Sequence, residues 1–242
     1  MRGKEYYYEG KLEFEGDYLN GKRNGKGKEY YKYGGIKFEG SFINGKRWNG
    51  KGFNINGKID FIIKNGNGKG KEYNEDGILE FEGEYIKGER NGKGKEYYYV
   101  SDKLKFEGEY LNGERNGKGK EYYYVNDKLE FEGEYLNGEK NGKGKEYHWN
   151  GELEFDGEYL NGKRWNGKEK KYNENGNLIF EGEYLNGEIN GKSKEYHKNG
   201  ELKFEGDYLL ILKSIFPFIL HSLPFHFFPF IKSPSNFNLP FS

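Results

Sequence analysis

The sequence predicts an all-β fold: an elongated, twisted antiparallel meander of about nine stacked β-hairpin repeats. Three observations lead there. One twenty-residue stretch is nearly duplicated, since Phe81–Val100 reads FEGEYIKGERNGKGKEYYYV and Phe106–Val125 reads FEGEYLNGERNGKGKEYYYV. The chain holds 39 Gly and no Ala, a balance that disfavours helices. Its apolar residues are dominated by 23 Tyr and 19 Phe, which favour strands.

The Phe that opens each Phe-Glu-Gly or Phe-Asp-Gly marks the register. It stands at Phe14, Phe38, Phe81, Phe106, Phe131, Phe155, Phe180 and Phe204. Neighbouring marks are 24 or 25 residues apart, except for 43 between Phe38 and Phe81, where Phe61 opens a degenerate copy. Two strands per unit predict roughly 17 or 18 strands in one meander. The array covers residues 1–208, and 209–242 form a separate hydrophobic tail rich in Pro and Phe.

Within a unit, alternation sends Phe106, Gly108 and Tyr110 to one face and Glu107, Glu109 and Leu111 to the other. Asn112-Gly113 supplies a hairpin turn, because both residues tolerate positive φ. With those two at the centre of the turn, Phe106 faces Gly119, Gly108 faces Gly117 and Glu107 faces Lys118. A longer turn reaching Asn116 shifts that register. Either way, aromatic rings lie over glycine backbone on one face while Glu and Lys pair on the other. The repeat-defining positions are Phe81, Gly83, Tyr85, Gly92 and Gly94; then Phe106, Gly108, Tyr110, Gly117 and Gly119; then Phe131, Gly133, Tyr135, Gly142 and Gly144.

At this point the motif FEGEYLNGERNGKGKEY resembles the MORN (membrane occupation and recognition nexus) repeat, whose core is aromatic-x-Gly-x-aromatic, a short x-Gly-Lys segment and Gly-x-Gly. The longer period of this chain also approaches related repeats of some bacterial antitoxin-type proteins. The resemblance implies a β-hairpin array used for scaffolding, self-association or membrane-proximal attachment, and implies no catalysis.

Function classes narrow by chemistry. Lys plus Arg number 40 and Asp plus Glu 40, interleaved in the same segments, so no basic stripe invites nucleic acid. Cysteine is absent, which removes disulfides and thiolate metal sites. The polar start MRGKEYYYEG is no secretory signal, so the expected location is intracellular and cytoplasmic, with membrane association left open. Gly187–Ser193 approaches a phosphate loop but has three residues between its glycines where four are needed, and no helix follows. Gly66–Gly70 reads as a hairpin strand, not a dinucleotide fingerprint. Carboxylates such as Glu107 and Glu109 recur in equivalent surroundings, whereas acid–base chemistry needs two unlike ones. His148, His197, His221 and His226 have no ligand spacing. No catalytic, cofactor or metal site is expected.

Two candidates for interaction anchors remain, Trp48 and Trp165, each in Asn-Gly-Lys-Arg-Trp-Asn-Gly, read as a Trp inserted into the ordinary loop. Each either packs locally or anchors a partner or membrane interface. The tail has 23 mostly apolar residues from Leu209 to Ile231, interrupted by Pro217, Pro224 and Pro229. It reads as a peripheral anchor, a disordered or locally packed end, or a non-native ending. The expected function is a non-enzymatic scaffold for an unknown protein partner. Alternatives are a lipid-binding module anchored through the tail, or a toxin-neutralising repeat protein. Exposed end strands add self-association.

Overall fold

The computed structural model describes residues 1–208, which are strand and turn throughout. The three readings of the tail therefore lie outside the described residues. Two compact units divide the chain, 1–167 and 168–242. In the first, β1 (Arg2–Tyr6), β2 (Leu12–Leu19), β3 (Lys22–Tyr30), β4 (Ile36–Ile43), β5 (Lys46–Phe53) and β6 (Ile59–Ile63) form one antiparallel sheet in chain order. A second sheet begins with β7 (Gly68–Tyr73), β8 (Leu79–Ile86), β9 (Glu89–Tyr97) and β10 (Leu104–Leu111). It continues through β11 (Glu114–Tyr122), β12 (Leu129–Leu136), β13 (Glu139–Tyr147) and β14 (Leu153–Leu160). β15 (Lys163–Tyr172) crosses the division, and the described part of the second unit adds β16 (Leu178–Leu185), β17 (Glu188–Tyr196) and β18 (Leu202–Tyr208). Among the described residues no helix is long and apolar enough to cross a membrane.

The hairpin turn is tight, as its sequence demands. Leu111 pairs with Glu114, leaving Asn112 at φ 52° and Gly113 at φ 93°, both left-handed as in a type I′ turn. The expected register beyond it is corrected by two residues. Phe106 faces Glu121, Glu107 faces Lys120 and Gly108 faces Gly119, rather than Glu107 facing Lys118. The cause is a bulge at Asn116-Gly117, where Gly117 takes φ 95° and the Glu109 carboxylate folds into the space beside it. Glu109 Oε2 accepts a hydrogen bond from the Lys118 amide at 3.2 Å. A slip of two keeps every side chain on its own face, so the facial reading survives.

That face is closely packed. A Cβ on Gly119 would lie 2.5 Å from the Phe106 ring, and one on Gly108 would lie 2.7 Å from the Gly119 Cα. Glycine is required in this row because the ring occupies the side-chain space of both residues. Phe14, Phe38, Phe81, Phe106, Phe131 and Phe155 are fully buried. Three of these rings also meet the Tyr of the next unit edge-on: Phe81–Tyr110 at 5.2 Å, Phe106–Tyr135 at 5.3 Å and Phe131–Tyr159 at 5.2 Å. One hairpin contributes the Phe and its successor the Tyr, so the core is built between repeats.

The antiparallel meander forms as two sheets, of 6 and 12 strands, rather than as one. The degenerate copy does place Phe61 over Gly52, as its register mark requires. Yet β6 and β7 share only an isolated bridge, Lys64–Asn67, and the sheet splits there. Ile63 stands where the other units have the glycine two residues after Phe, and it is buried. The close glycine-to-glycine approach of the other hairpins has no room for that branched side chain.

Turns between units use a device that sequence reading passed over. Asn54, Asn74 and Asn173 each accept two backbone N–H bonds through Oδ1, from residues two and four positions on.

Candidate interaction surface

The ring face carries a layer of charge above the aromatic row. Arg115 lies with its guanidinium carbon 4.0 Å from the Phe106 centroid, within cation–π range. It donates to Glu96 of β9 at 2.6 Å and to Glu121 of its own strand at 2.5 Å. Lys140 repeats the arrangement 4.2 Å above Phe131, reaching both Glu121 and Glu146 at 3.1 Å. Arg23 joins Glu5 and Glu29, Arg47 joins Glu29, Arg90 joins Glu72 and Glu96, and Arg164 joins Glu146. Cations and carboxylates thus alternate from Glu5 to Arg164, within the first unit.

This ladder shifts its own ionisation. Burial acts to raise the Glu96 carboxyl, but hydrogen bonds from Arg115 and Tyr110 and the nearby guanidinium charges outweigh it and hold it below the usual glutamate value. Glu72 and Glu146 are lowered in the same balance, and Glu5 is lowered chiefly by its bond to Arg23. Tyr110, donating to Glu96 at 2.6 Å, is raised by burial and by that carboxylate. The expected Glu–Lys layer was placed on the opposite face alone. The Glu of each Lys-Glu-Tyr and the cation two residues after Asn-Gly were missed. Their constant offset from the Phe mark was the available signal.

The opposite face holds the expected Lys and Glu rows. Across β7 to β14 one row runs Lys71, Glu82, Lys95, Glu107, Lys120, Glu132, Lys145 and Asp156, each beside the next in the register. A second row, displaced by two residues along each strand, includes Lys69, Glu84, Lys93, Glu109, Lys118, Glu134 and Lys143. Between them an open groove of about 1230 Å³ runs over the glycine backbone, from Asp60 to Asp156. Its contacts are loose: Lys120 stands 4.0 Å from Glu132 and Lys145 3.6 Å from Asp156, with these side chains 38–52% exposed. Such exposed pairs contribute at most about 1 kcal/mol each, so the rows stay free to exchange partners.

The repeat-defining residues of the three central units occupy equivalent places and form the floor and seam described above. The tryptophans do not share that regularity. Trp48 is half-buried and packs against Gly66 of the following turn, where an added Cβ would lie 2.8 Å from its ring. Trp165 is half-buried too. Reading Trp as an insertion is corrected by the register, because Gly40 pairs with Gly50 and Glu39 with Lys51. Trp48-Asn49 therefore replaces the three-residue Asn-Gly-Lys bulge of an ordinary unit with two residues. Gly157 meets Asn166 O and the Gly167 Cα just as Gly40 meets Asn49 O and the Gly50 Cα. His148 and His197 each open a turn between units, their amides bonded to Glu152 and Glu201 carbonyls. Among the described residues no group of three or more His, Asp and Glu is placed to hold a metal.

The family model described as MORN repeat matches residues 14–35, 81–103, 106–128, 131–151 and 180–201. The chain is a MORN-repeat protein. The Trp-bearing units opened by Phe38 and Phe155 fall outside the matched segments, and they are the ones with the shortened bulge. A MORN unit here is a hairpin whose Asn-Gly bulge sets the glycine row against the ring row. A search of curated proteins returned no match.

Proposed function

We propose that this MORN-repeat protein is a non-catalytic scaffold that binds a polypeptide partner along its Lys/Glu face. One observation supports this above the others: the paired rows of alternating charge flanking the open groove from Asp60 to Asp156. Equivalent units present equivalent groups, which suits recognition distributed along a surface better than chemistry at one point. The rows are balanced in sign, so the fitting partner is a segment of mixed charge rather than a polyanion or an anionic lipid surface.

The experiment is recovery of partners on the full-length protein, with cross-linking to locate them. Reversing Lys93, Lys95, Lys118 and Lys120 to Glu should abolish recovery while leaving the strand circular dichroism unchanged. Wild-type cross-links should fall on those four positions. Recovery that persists in this variant but is lost in Trp48→Ala plus Trp165→Ala would move the site to the tryptophans. Flotation of the full chain with liposomes in place of any protein partner would favour the lipid reading instead.

A further inference from the structure

The two charged rows of the groove differ in how their lysines are engaged. In one row the ammonium groups of Lys71, Lys120 and Lys145 stand 3.2, 4.0 and 3.6 Å from carboxylates of Asp60, Glu132 and Asp156. In the other, Lys69, Lys93, Lys118 and Lys143 are exposed, and among the described residues their ammonium groups meet no carboxylate. The acids beside them are committed to the backbone. Glu84, Glu109 and Glu134 accept the amide N–H groups of Lys93, Lys118 and Lys143 at 3.1, 3.2 and 3.2 Å. The bulge that sets the glycine row thereby leaves one cation per unit without an acid partner.

These four lysines lie on β7, β9, β11 and β13, every second strand of the sheet. They are therefore about 9.6 Å apart, in a line of about 29 Å. The two rows are separated by two residues along each strand, about 6.7 Å. An occupant must be narrow enough to lie between them and must bring an acid into the line once per unit. An α-helix with its side chains is about 10–12 Å across, and seven residues of it rise about 10.5 Å, so it would run about 2.7 Å out of step by the fourth lysine. A β-strand returns to one face every two residues, about 6.7 Å, and never keeps step. A polyproline II chain turns once in three residues, about 9.3 Å, and drifts by only about 1 Å over the same line.

We propose that the groove takes a polyproline II segment of the partner with a carboxylate at every third residue, one for each of Lys69, Lys93, Lys118 and Lys143. This rests on the groove reading above and names its ligand. The residue after each acid turns to the opposite row. There Glu82, Glu107 and Glu132 each use one oxygen for a tyrosine hydroxyl, at 2.7, 2.7 and 2.8 Å, which leaves the other to accept a basic side chain. The third residue faces the floor, where only backbone lies and a pyrrolidine ring fits. An acidic-basic-Pro triplet thus matches the unit in length and in both signs of charge.

A labelled peptide of four Glu-Lys-Pro triplets tests this by fluorescence anisotropy on the full-length protein. Its control has the same composition with no two Glu three residues apart. The triplet peptide should bind about tenfold more tightly than the control. Replacing Lys93, Lys118 and Lys143 together by Gln should erase that difference while the strand circular dichroism is kept. One Gly inserted between the second and third triplets should cost about threefold, because it moves half of the acids out of phase. Equal affinity of the two peptides for the wild type overturns the proposal. So does a preference that survives in the triple variant, or tighter binding of a helical Glu/Lys peptide built on Ala. The groove itself is judged separately. Partner recovery lost on reversing Lys93, Lys95, Lys118 and Lys120, with both peptides bound alike, would keep the groove and remove this occupant. Recovery indifferent to that reversal, with both peptides bound alike, would remove both.

Discussion

Glycine in this chain has two different jobs, and single substitutions separate them. Gly113 has φ 93° in the turn and nothing within 4 Å of an added Cβ, so Gly113→Ala meets only backbone strain, about 1 kcal/mol. Gly119 has ordinary strand backbone but no space, since its Cβ would meet the buried Phe106 ring at 2.5 Å. Gly119→Ala should cost about 2–3 kcal/mol through overpacking. Urea midpoints of the two variants check the order, and equal losses would contradict the assignment of ring contact to the strand glycine. Sequence alone read Gly113 as a turn residue and Gly119 as a repeat-defining strand residue, without showing that only the second lacks space for a side chain. The ring face followed from a period of two, whereas the bulge depended on where the Glu109 carboxylate settles, a contact nine residues from the amide it accepts.

Strand identity and turn position were legible because Asn-Gly, aromatic alternation and the Phe mark all agree within each hairpin. Register past the turn was not, since the second Asn-Gly resembles the first but forms a bulge. The layer of Glu and Arg over the rings was hidden for another reason: each cation also reaches a carboxylate of another unit, so a single repeat displays only half of it. The ladder makes an acid-sensitive element. Glu5, Glu72, Glu96 and Glu146 all lie below their unfolded values, while Glu130 is raised by burial and by Glu121. A lowered carboxyl leaves the unfolded chain binding more protons, so its stabilising share is full above the unfolded value of about 4.3 and is lost as pH falls through the folded one. Glu130 acts in the reverse sense, but it is outnumbered. Thermal melting should therefore be flat from neutral pH to about 5 and fall progressively below that range. Arg115→Met, which keeps the apolar stem over Phe106 but leaves Glu96 with fewer donors, should lower the neutral-pH melting temperature and flatten this acid dependence. An unchanged acid slope in that variant would remove the ladder as its source.

Across the molecule, stability is a sum over repeats and the contacts between neighbours, because Phe14, Phe81, Phe106 and Phe131 are each covered by the Tyr or Phe of the unit that follows. The split at β6 and β7 fits the same rule: Ile63 interrupts the glycine row, and at that point Arg47 donates to the Lys71 carbonyl at 3.2 Å. Such a chain should tolerate removal of a whole unit. Excising residues 106–130 joins Lys105 to Phe131, and both sides of the junction are already in repeat register. Tyr135 then covers Phe81 as Tyr110 does now, and Lys140 faces Glu96 in place of Arg115. The shortened protein should keep its strand circular dichroism, with a urea m-value reduced roughly in proportion to the surface lost. Excising only residues 112–130, so that the first-half strand ending at Leu111 runs directly into the one opening at Phe131, should abolish cooperative unfolding, because Phe106 would lose its facing Gly119. If both deletions behaved alike, the hairpin beginning at Phe would not be the unit that stacks.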